Sequence, residues 1–473
     1  MNIYSIANNQ LTQLVRDKVV ASLGLLILFL LGVSIITGIS YYSEMAEQHQ
    51  QAEELARIQW ENQGDKNPHS AAHYGTFAFK PVTVLSVFEP GVDRYTGVSI
   101  FLEGHRQNFA AFSLAEDKDS SRRFAELTPA FIFAYLFPLF IILAGYRSIT
   151  AEKESGMYRF LKSQGVSSSQ LIAGKTLGLW AVILLIYIPF LLIGLIFLII
   201  TGAFGESLAG FLLMGIVWLL YFGVIAHITI TISALAKSSG SSMVVLLSLW
   251  ILSTLLVPRL ITNVASGVHP VPNTSEFYQA VRTDLLEGID GHNPYSEHSV
   301  AFRDSVLAAH GVDDVADLPF NFRGMMLQEG EEFEKKIYDH HFAKIDEIHR
   351  AQNRLFSISS FLSPTIAARM SSMAVAGTDM HAFNHFSAEA EAYRIELVRE
   401  LNMDLKINAV GDRAAGYTAG ADFFAQNIAF TYERPASVFI NSSQLMPLFI
   451  SLLWFVASIL ILGVAARKNE EVQ

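Results

Sequence analysis

The sequence predicts an all-α polytopic membrane protein with six transmembrane helices and two extracytoplasmic insertions. Of its 473 residues, 51% are hydrophobic and only 16% are charged, whereas soluble domains carry about 25% charged residues. The apolar residues fall into six long blocks, and the basic residues gather at alternate block ends. The net charge of −11 disfavours nucleic-acid binding. The absence of cysteine excludes disulfides, thiolate metal sites and a cysteine nucleophile.

Each apolar block has close to the ~20 residues that a helix needs to cross a bilayer. No full charge lies deep within a block, which argues against a proton- or ion-coupled carrier. The predicted spans are Val19–Tyr42, Pro129–Tyr146, Leu177–Ile200, Leu208–Ala236, Met243–Ile261 and Leu445–Ala466.

The charges flanking the blocks predict the orientation. Residues 1–18, 147–176, 237–242 and 467–473 fall on one side and carry ten Lys and Arg against five Asp and Glu, a net of +5, which leaves −16 for the rest of the chain. The positive-inside rule makes that side cytoplasmic, with both termini inside. Within residues 1–18, Leu11, Leu14, Val15 and Lys18 have the helical spacing of an interfacial helix.

Two long segments, 43–128 and 262–444, are therefore predicted to be extracytoplasmic. The smaller begins with a charged helix, Glu44–Gln63, and continues into runs such as Lys80–Phe88 that favour strands, so it is predicted to be mixed α/β.

The larger segment is predicted to be mainly helical. Asn273, with Glu276 three residues later, opens a helix that Gly288 closes. Gln328–Phe356 and Ala382–Leu405 have apolar residues at helical spacing.

The predicted cytoplasmic loop, 147–176, carries the most informative pattern. Ala151–Lys162 is predicted to form one amphipathic helix that Gly165 ends, and the following serines suit the cap of the next helix. Its charged face suits docking on a soluble partner. A generic basic loop beside the membrane is the alternative interpretation.

Three motifs follow one another in this loop: Glu152-Lys-Glu-x-Gly, Leu161-x-Ser-x-Gly-Val and Gly174-Lys175. Together they resemble the loop between spans two and three of ABC-2-type transporter permeases. In that family the loop is a coupling helix that fits a groove of the ATPase subunit, and Lys175 would start span three. Met157-Tyr158 and Gln164 depart from the usual residues. The resemblance assigns ATPase coupling to Glu152, Lys153, Glu154, Gly156, Arg159, Leu161, Lys162, Gly165 and Val166.

The outer segments resemble a subfamily of these permeases that has a large extracytoplasmic domain of unknown function. The likeness rests on motifs such as Asn67-Pro-His-Ser-Ala-Ala-His-Tyr-Gly, Phe88-Glu-Pro-Gly-Val and Ser363-Pro-Thr-Ile-Ala-Ala, and it covers essentially the whole chain. It implies a non-enzymatic permease in the bacterial inner membrane that couples ATP hydrolysis by a separate subunit to export or extraction of a substrate.

The same resemblance implies the partners. These are an ABC ATPase that binds ATP and Mg, a second copy or a sister permease, and an extracytoplasmic protein; no cofactor is expected in this chain. Two alternative functions stay open. One is an ATP-driven mechanical or assembly factor that acts on an extracytoplasmic partner, for example in assembling a metal centre. The other is a membrane-anchored receptor or scaffold that transports nothing.

No nucleotide-binding motif is found. Gly174-Lys175-Thr176 resembles the end of a P-loop, but Ser169 stands where that loop needs glycine, and a membrane helix follows. Zinc-protease and serine-hydrolase signatures are absent from the sequence.

Histidines are the remaining candidates for chemistry, since thirteen of fourteen fall in the outer segments. Imidazoles at i, i+4 spacing on a helix can bind zinc or copper, whereas structural or pH-responsive roles are the alternative. The candidate ligands are the i, i+4 pairs His69/His73 and His381/His385 and the adjacent His340 and His341.

Overall fold

The computed structural model describes residues 2–113, 127–286, 292–413, 416–426, 429–435, 439 and 442–471. The described chain is predominantly helical and contains six helices long and apolar enough to cross a membrane, so the predicted all-α polytopic fold is confirmed. Span one is α2 (Lys18–Glu61) and span two is α4 (Pro129–Phe131) continued by a π-helical turn into α5 (Phe137–Gly145).

The other four spans follow the same pattern of long apolar helices. Span five also contains a π-helical turn, Ile251–Leu256, just before Pro258, a residue that cannot donate a backbone hydrogen bond. These spans are α8 (Ser168–Ile200), α9 (Phe204–Leu235), α10 (Ser239–Trp250) with α11 (Val257–Val268), and α18 (Leu445–Glu471).

The N-terminal helix α1 (Ile3–Arg16) lies against the start of α8. Its buried residues are Ile6, Gln10 and Leu14, one turn apart. Two glycines allow the close approach, because a Cβ on Gly174 would lie 2.6 Å from Ile6 and a Cβ on Gly178 would lie 2.5 Å from Gln10.

The two insertions pack together into one outer body. From the first come α3 (Pro68–Tyr74) and an antiparallel pair of strands, β1 (Thr76–Phe79) and β2 (Ser99–Leu102). The second supplies α12 (Thr274–Leu285), α13 (Glu297–His310), α14 (Phe322–Ser359), α15 (Pro364–Ala376), α16 (Met380–Asn408) and α17 (Ala421–Phe424).

The strand prediction for Lys80–Phe88 is wrong. Residues 80–83 are irregular and Val84–Val87 forms a 3₁₀ helix, whereas the strand lies just before this run at Thr76–Phe79. Pro81 gives a physical reason, since proline cannot donate to a strand ladder.

The predicted helices of the larger insertion are present, and α14 and α16 extend beyond the predicted Gln328–Phe356 and Ala382–Leu405 at both ends. Asn273 caps α12 in a reciprocal box with Glu276, as expected, and α12 ends at Leu285. Gly288, the predicted end of that helix, lies outside the described residues.

One helix of the larger insertion, α15, is buried against the spans. The Tyr221 hydroxyl of span four lies 2.9 Å from Thr365 Oγ1 of α15, and Trp454 of span six donates to the Ser360 carbonyl at 2.9 Å. The spans and the outer body are therefore packed to each other.

Candidate functional site

The loop between spans two and three forms two short helices. These are α6 (Thr150–Glu154) and α7 (Met157–Ser163), so the prediction of one helix over Ala151–Lys162 is wrong. Gly156 separates them with a left-handed φ of 76°, a conformation that glycine adopts without steric cost. Gly165 ends α7 with a φ of 81°, and Ser167 caps α8 as the serine pattern indicated.

The first charged residue of α6 faces inward. Glu152 forms an ion pair with Lys175, which lies inside α8 and is 2% exposed. The Lys175 ammonium also donates to Gln10 Oε1 at 2.8 Å, and the Gln10 amide donates to Ser148 Oγ at 3.1 Å. This buried network joins the loop to α1 and α8.

Other polar residues connect the loop to the remaining spans. Lys153 donates to the Ala234 carbonyl of α9 and, at 3.0 Å, to Asn469 Oδ1 of α18. The Glu154 carboxylate accepts hydrogen bonds from the Ser239 backbone N–H at 2.7 Å and from its hydroxyl at 2.8 Å, at the start of α10.

Polar contacts also attach α7 and the residues after it to the spans. Lys162 forms an ion pair with Glu470, and the Tyr158 hydroxyl lies 2.8 Å from Ser168 Oγ. Val166 is buried and Leu161 is half-buried against the spans. The loop therefore contacts the same end of spans three, four, five and six.

The face of α7 that points away from the spans is apolar and basic. Met157 and Phe160 are 47% and 58% exposed, and Arg159 lies exposed between them. The sequence reasoning missed both apolar residues, although their i, i+3 spacing is the available signal for a shared helical face.

A second candidate site lies in the outer body, where four histidines from three segments converge. His69 and His73 occupy successive turns of α3, His105 follows β2, and His292 precedes α13. Their ligand nitrogens all lie within 4.8 Å of one another. His69 is buried, His105 is half-buried, and His73 and His292 are exposed, so the cluster opens to solvent.

Hydrogen bonds at Nδ1 fix the orientation of two of these imidazole rings. His69 Nδ1 lies 2.8 Å from Asn402 Oδ1, while the Asn402 amide donates to Gln328 at 3.1 Å. His105 Nδ1 lies 2.6 Å from Glu334 Oε2. Because both partner oxygens are acceptors, each histidine carries a proton on Nδ1 and, in its neutral form, directs an Nε2 lone pair inward.

Burial and charge set the protonation of the cluster. Burial, reinforced by the neighbouring imidazoles, lowers the pKa of His69 to about 3, and burial also lowers the pKa of His73. Burial opposes protonation of His105, but the hydrogen bond to Glu334 and the charge of Glu331 outweigh it and raise the His105 pKa. His69 and His73 are thus neutral at pH 7, the form that binds metals.

The structure brings together only one of the predicted histidine pairs, His69/His73, among the residues it describes. His105 and His292 were not predicted. The other candidate histidines lie elsewhere and contact other residues. His341 forms an ion pair with Asp284 at 2.8 Å, and His340 is exposed beside it. His381 lies 3.3 Å from Ser443 Oγ, and His385 lies 3.0 Å from the Tyr432 hydroxyl.

Six helices of the described chain that are long and apolar enough to cross a membrane define a polytopic membrane protein. The family model described as ABC-2 family transporter protein matches residues 4–305, and the chain belongs to that family. Residues 274–433 match the domain of unknown function DUF3526. No curated protein matches the sequence. The chain is thus a multi-pass membrane permease of an ABC transporter, a subunit that is not itself catalytic.

Proposed function

We propose that this permease couples ATP hydrolysis by a separate ATPase subunit to the export or extraction of a substrate across the bacterial inner membrane. The observation that carries the proposal is the bonding of the 147–167 loop to α8, α9, α10 and α18 at one end of the bundle. A force applied to such a loop is shared by four spans at once. ATP and Mg²⁺ belong to the partner ATPase.

The docking surface is the exposed face of α7. Met157 and Phe160 are apolar anchors and Arg159 adds a charge, the residue types that dominate binding at protein interfaces. Glu154, Gly156 and Gly165 lie exposed beside this face. The inward-facing Glu152, Lys153, Leu161, Lys162 and Val166 position the loop on the spans.

The arrangement in the membrane follows from charge and burial. The +5 side of the bundle is cytoplasmic under the positive-inside rule, which places the loop where an ATPase can reach it. Only 11% of the residues in the most apolar window of span five are buried, compared with 56% for span four, so span five offers a face to lipid and to a second permease, identical or sister.

Phe160→Asp is expected to reduce the amount of ATPase that co-purifies with the full-length chain by at least tenfold. The substitution puts a charge into the apolar centre of the proposed interface, and Phe160 is too exposed for the change to destabilise the fold. The measurement is ATPase content and ATP hydrolysis of the complex isolated from native membranes.

Tyr295→Asp is the matched control, since this aromatic residue is 89% exposed in the outer insertion. It should leave the ATPase bound. The proposal would be contradicted if Phe160→Asp retained a fully active ATPase at the wild-type melting temperature.

ATP-driven mechanical work on an extracytoplasmic partner is the second candidate, favoured by the length of α2. Its 44 residues extend about 66 Å, from the α1 junction to Trp60. The Trp60 indole packs on Phe424 of the outer body and donates to its carbonyl at 3.1 Å. Movement of span one would therefore be transmitted directly to the outer body.

Spin labels test this second candidate, and the chain contains no cysteine that would compete for them. Labels on exposed Glu206→Cys, in the first turn of α9, and on exposed Lys336→Cys, on α14, report the distance between bundle and outer body. Mechanical work predicts a distance change when ATP binds to the complex. An unchanged distance distribution would count against it.

A further inference from the structure

We propose that His69, His73, His105 and His292 form a tetrahedral Zn²⁺ site that fastens the two outer insertions together. The site goes beyond the proposed function, because neither ATPase docking nor the spans require it. Three ligands come from the first insertion and one from the second, so the ion would join segments that are far apart in the chain.

The spacing of the nitrogens fits this ion. Zinc–nitrogen bonds of 2.0–2.1 Å in a tetrahedron place neighbouring ligand atoms about 3.3–3.4 Å apart. The Nε2 atoms of His69, His105 and His292 are separated by 3.2, 2.9 and 3.4 Å. These three atoms form one face of the tetrahedron, and His73 supplies the fourth corner, with its ring centroid 4.8–5.5 Å from the other three.

The hydrogen bonds around the cluster favour a cation at its centre. His69 and His105 both keep their proton on Nδ1, held by Asn402 and Glu334. When both rings are neutral, their Nε2 lone pairs face each other at 3.2 Å, an arrangement in which neither can donate to the other. A metal ion between them turns this repulsion into two ligand bonds. Oriented partners of this kind are typical outer contacts of metal-binding histidines.

The surrounding charges and the ligand type select the metal. Glu331 and Glu334 lie 3.1 and 2.6 Å from His105 Nδ1 and supply negative charge against the ion. An all-imidazole set suits Zn²⁺, Cu²⁺ and Ni²⁺, whereas Mg²⁺ and Ca²⁺ prefer oxygen ligands. The tetrahedral spacing favours Zn²⁺ over Cu²⁺ and Ni²⁺, which prefer square-planar or tetragonal geometry. Four protein ligands leave no open position, so the site is structural.

The backbone at His105 is consistent with a specialised position. Its φ is 64°, in the left-handed region that residues other than glycine seldom occupy. Such strain persists where the surrounding structure enforces it, and it is concentrated at functional sites.

Zinc titration of the detergent-purified full-length chain, after chelator treatment, tests the site directly. We expect one tightly bound Zn²⁺ per chain by elemental analysis, and a tetrahedral visible spectrum when Co²⁺ replaces zinc. His73→Ala, which removes an exposed ligand, and His105→Asn, which keeps a side chain that tolerates positive φ, should each weaken zinc binding at least tenfold. Glu334→Gln should weaken it by roughly 10- to 100-fold.

His340→Ala is the control, because this exposed histidine lies outside the cluster and its loss should leave zinc binding unchanged. Wild-type binding no tighter than that of His73→Ala, or an octahedral Co²⁺ spectrum, would overturn the proposal. His73→Ala keeps the test decisive if His105→Asn misfolds. The readout is metal binding without ATPase, so it is independent of the coupling experiment.

Discussion

Replacing Arg394 by Met is expected to lower the stability of the outer body by about 3–5 kcal/mol, because it leaves buried carboxylates without their counter-charge. The Arg394 side chain is 2% exposed on α16. Its guanidinium donates to Glu391 at 2.8 and 2.9 Å, lies 3.5 Å from Glu331, and donates to the Glu103 carbonyl at 3.1 Å. The last contact crosses from the second insertion to the first.

The same helix offers a matched control. Arg399 pairs with Glu396 at the same i, i+3 spacing, but both side chains are about half exposed. Because exposed ion pairs contribute little, Arg399→Met should leave the melting temperature close to that of the wild type. Thermal unfolding followed by fluorescence gives the comparison, with buried Trp60 as a reporter in the outer body. Equal melting temperatures for Arg394→Met and Arg399→Met would contradict the burial argument.

The membrane architecture could be predicted from composition because a bilayer imposes a simple rule on sequence. A spanning helix must be apolar over about 20 residues, and this requirement is local and continuous. Each predicted block accordingly lies in a long apolar helix, as with Val19–Tyr42 inside Lys18–Glu61. The continuation of that helix into the charged Glu44–Gln63 run could not be read from the apolar block alone.

The secondary-structure predictions were wrong where a single residue changes the local backbone conformation. The charge pattern of residues 151–162 fits one helix, yet Gly156 divides it, since glycine in a helix is tolerated but not favoured. Whether such a glycine breaks the helix depends on what the flanking turns contact. Here Glu152 reaches Lys175 and Tyr158 reaches Ser168, and one straight helix does not provide that pair of contacts.

The histidine cluster shows where a local pattern stops being informative. The i, i+4 spacing of His69 and His73 predicted a shared helix face, and Asn67 with Pro68 provides the cap and first residue of that helix. The spacing of His381 and His385 is identical, but tertiary packing gives these residues separate partners. His105 and His292 reach the cluster through the packing of two insertions, which no period in the sequence encodes.

Lys175→Met is expected to destabilise the loop-bearing end of the bundle by about 3 kcal/mol and to abolish stimulation of the bound ATPase. Lys175 is the link between Glu152 of the loop and Gln10 of α1. Its removal leaves the Glu152 carboxylate, 16% exposed, without a counter-charge. The loop should then lose its ion-pair link to α8 and, through it, to α1, while keeping the Tyr158–Ser168 contact to α8 and its contacts to α9, α10 and α18.

A double variant separates the two effects. Combining Lys175→Met with Glu152→Gln removes both charges, and replacement of a whole buried pair is often nearly neutral. Melting should therefore return to near the wild-type temperature while ATPase stimulation stays low, because the link is still missing. Lys335→Met, which breaks the partly exposed pair with Asp339, should affect neither quantity. If single and double variants melt alike, the Lys175–Glu152 pair does not control the stability of this end of the bundle.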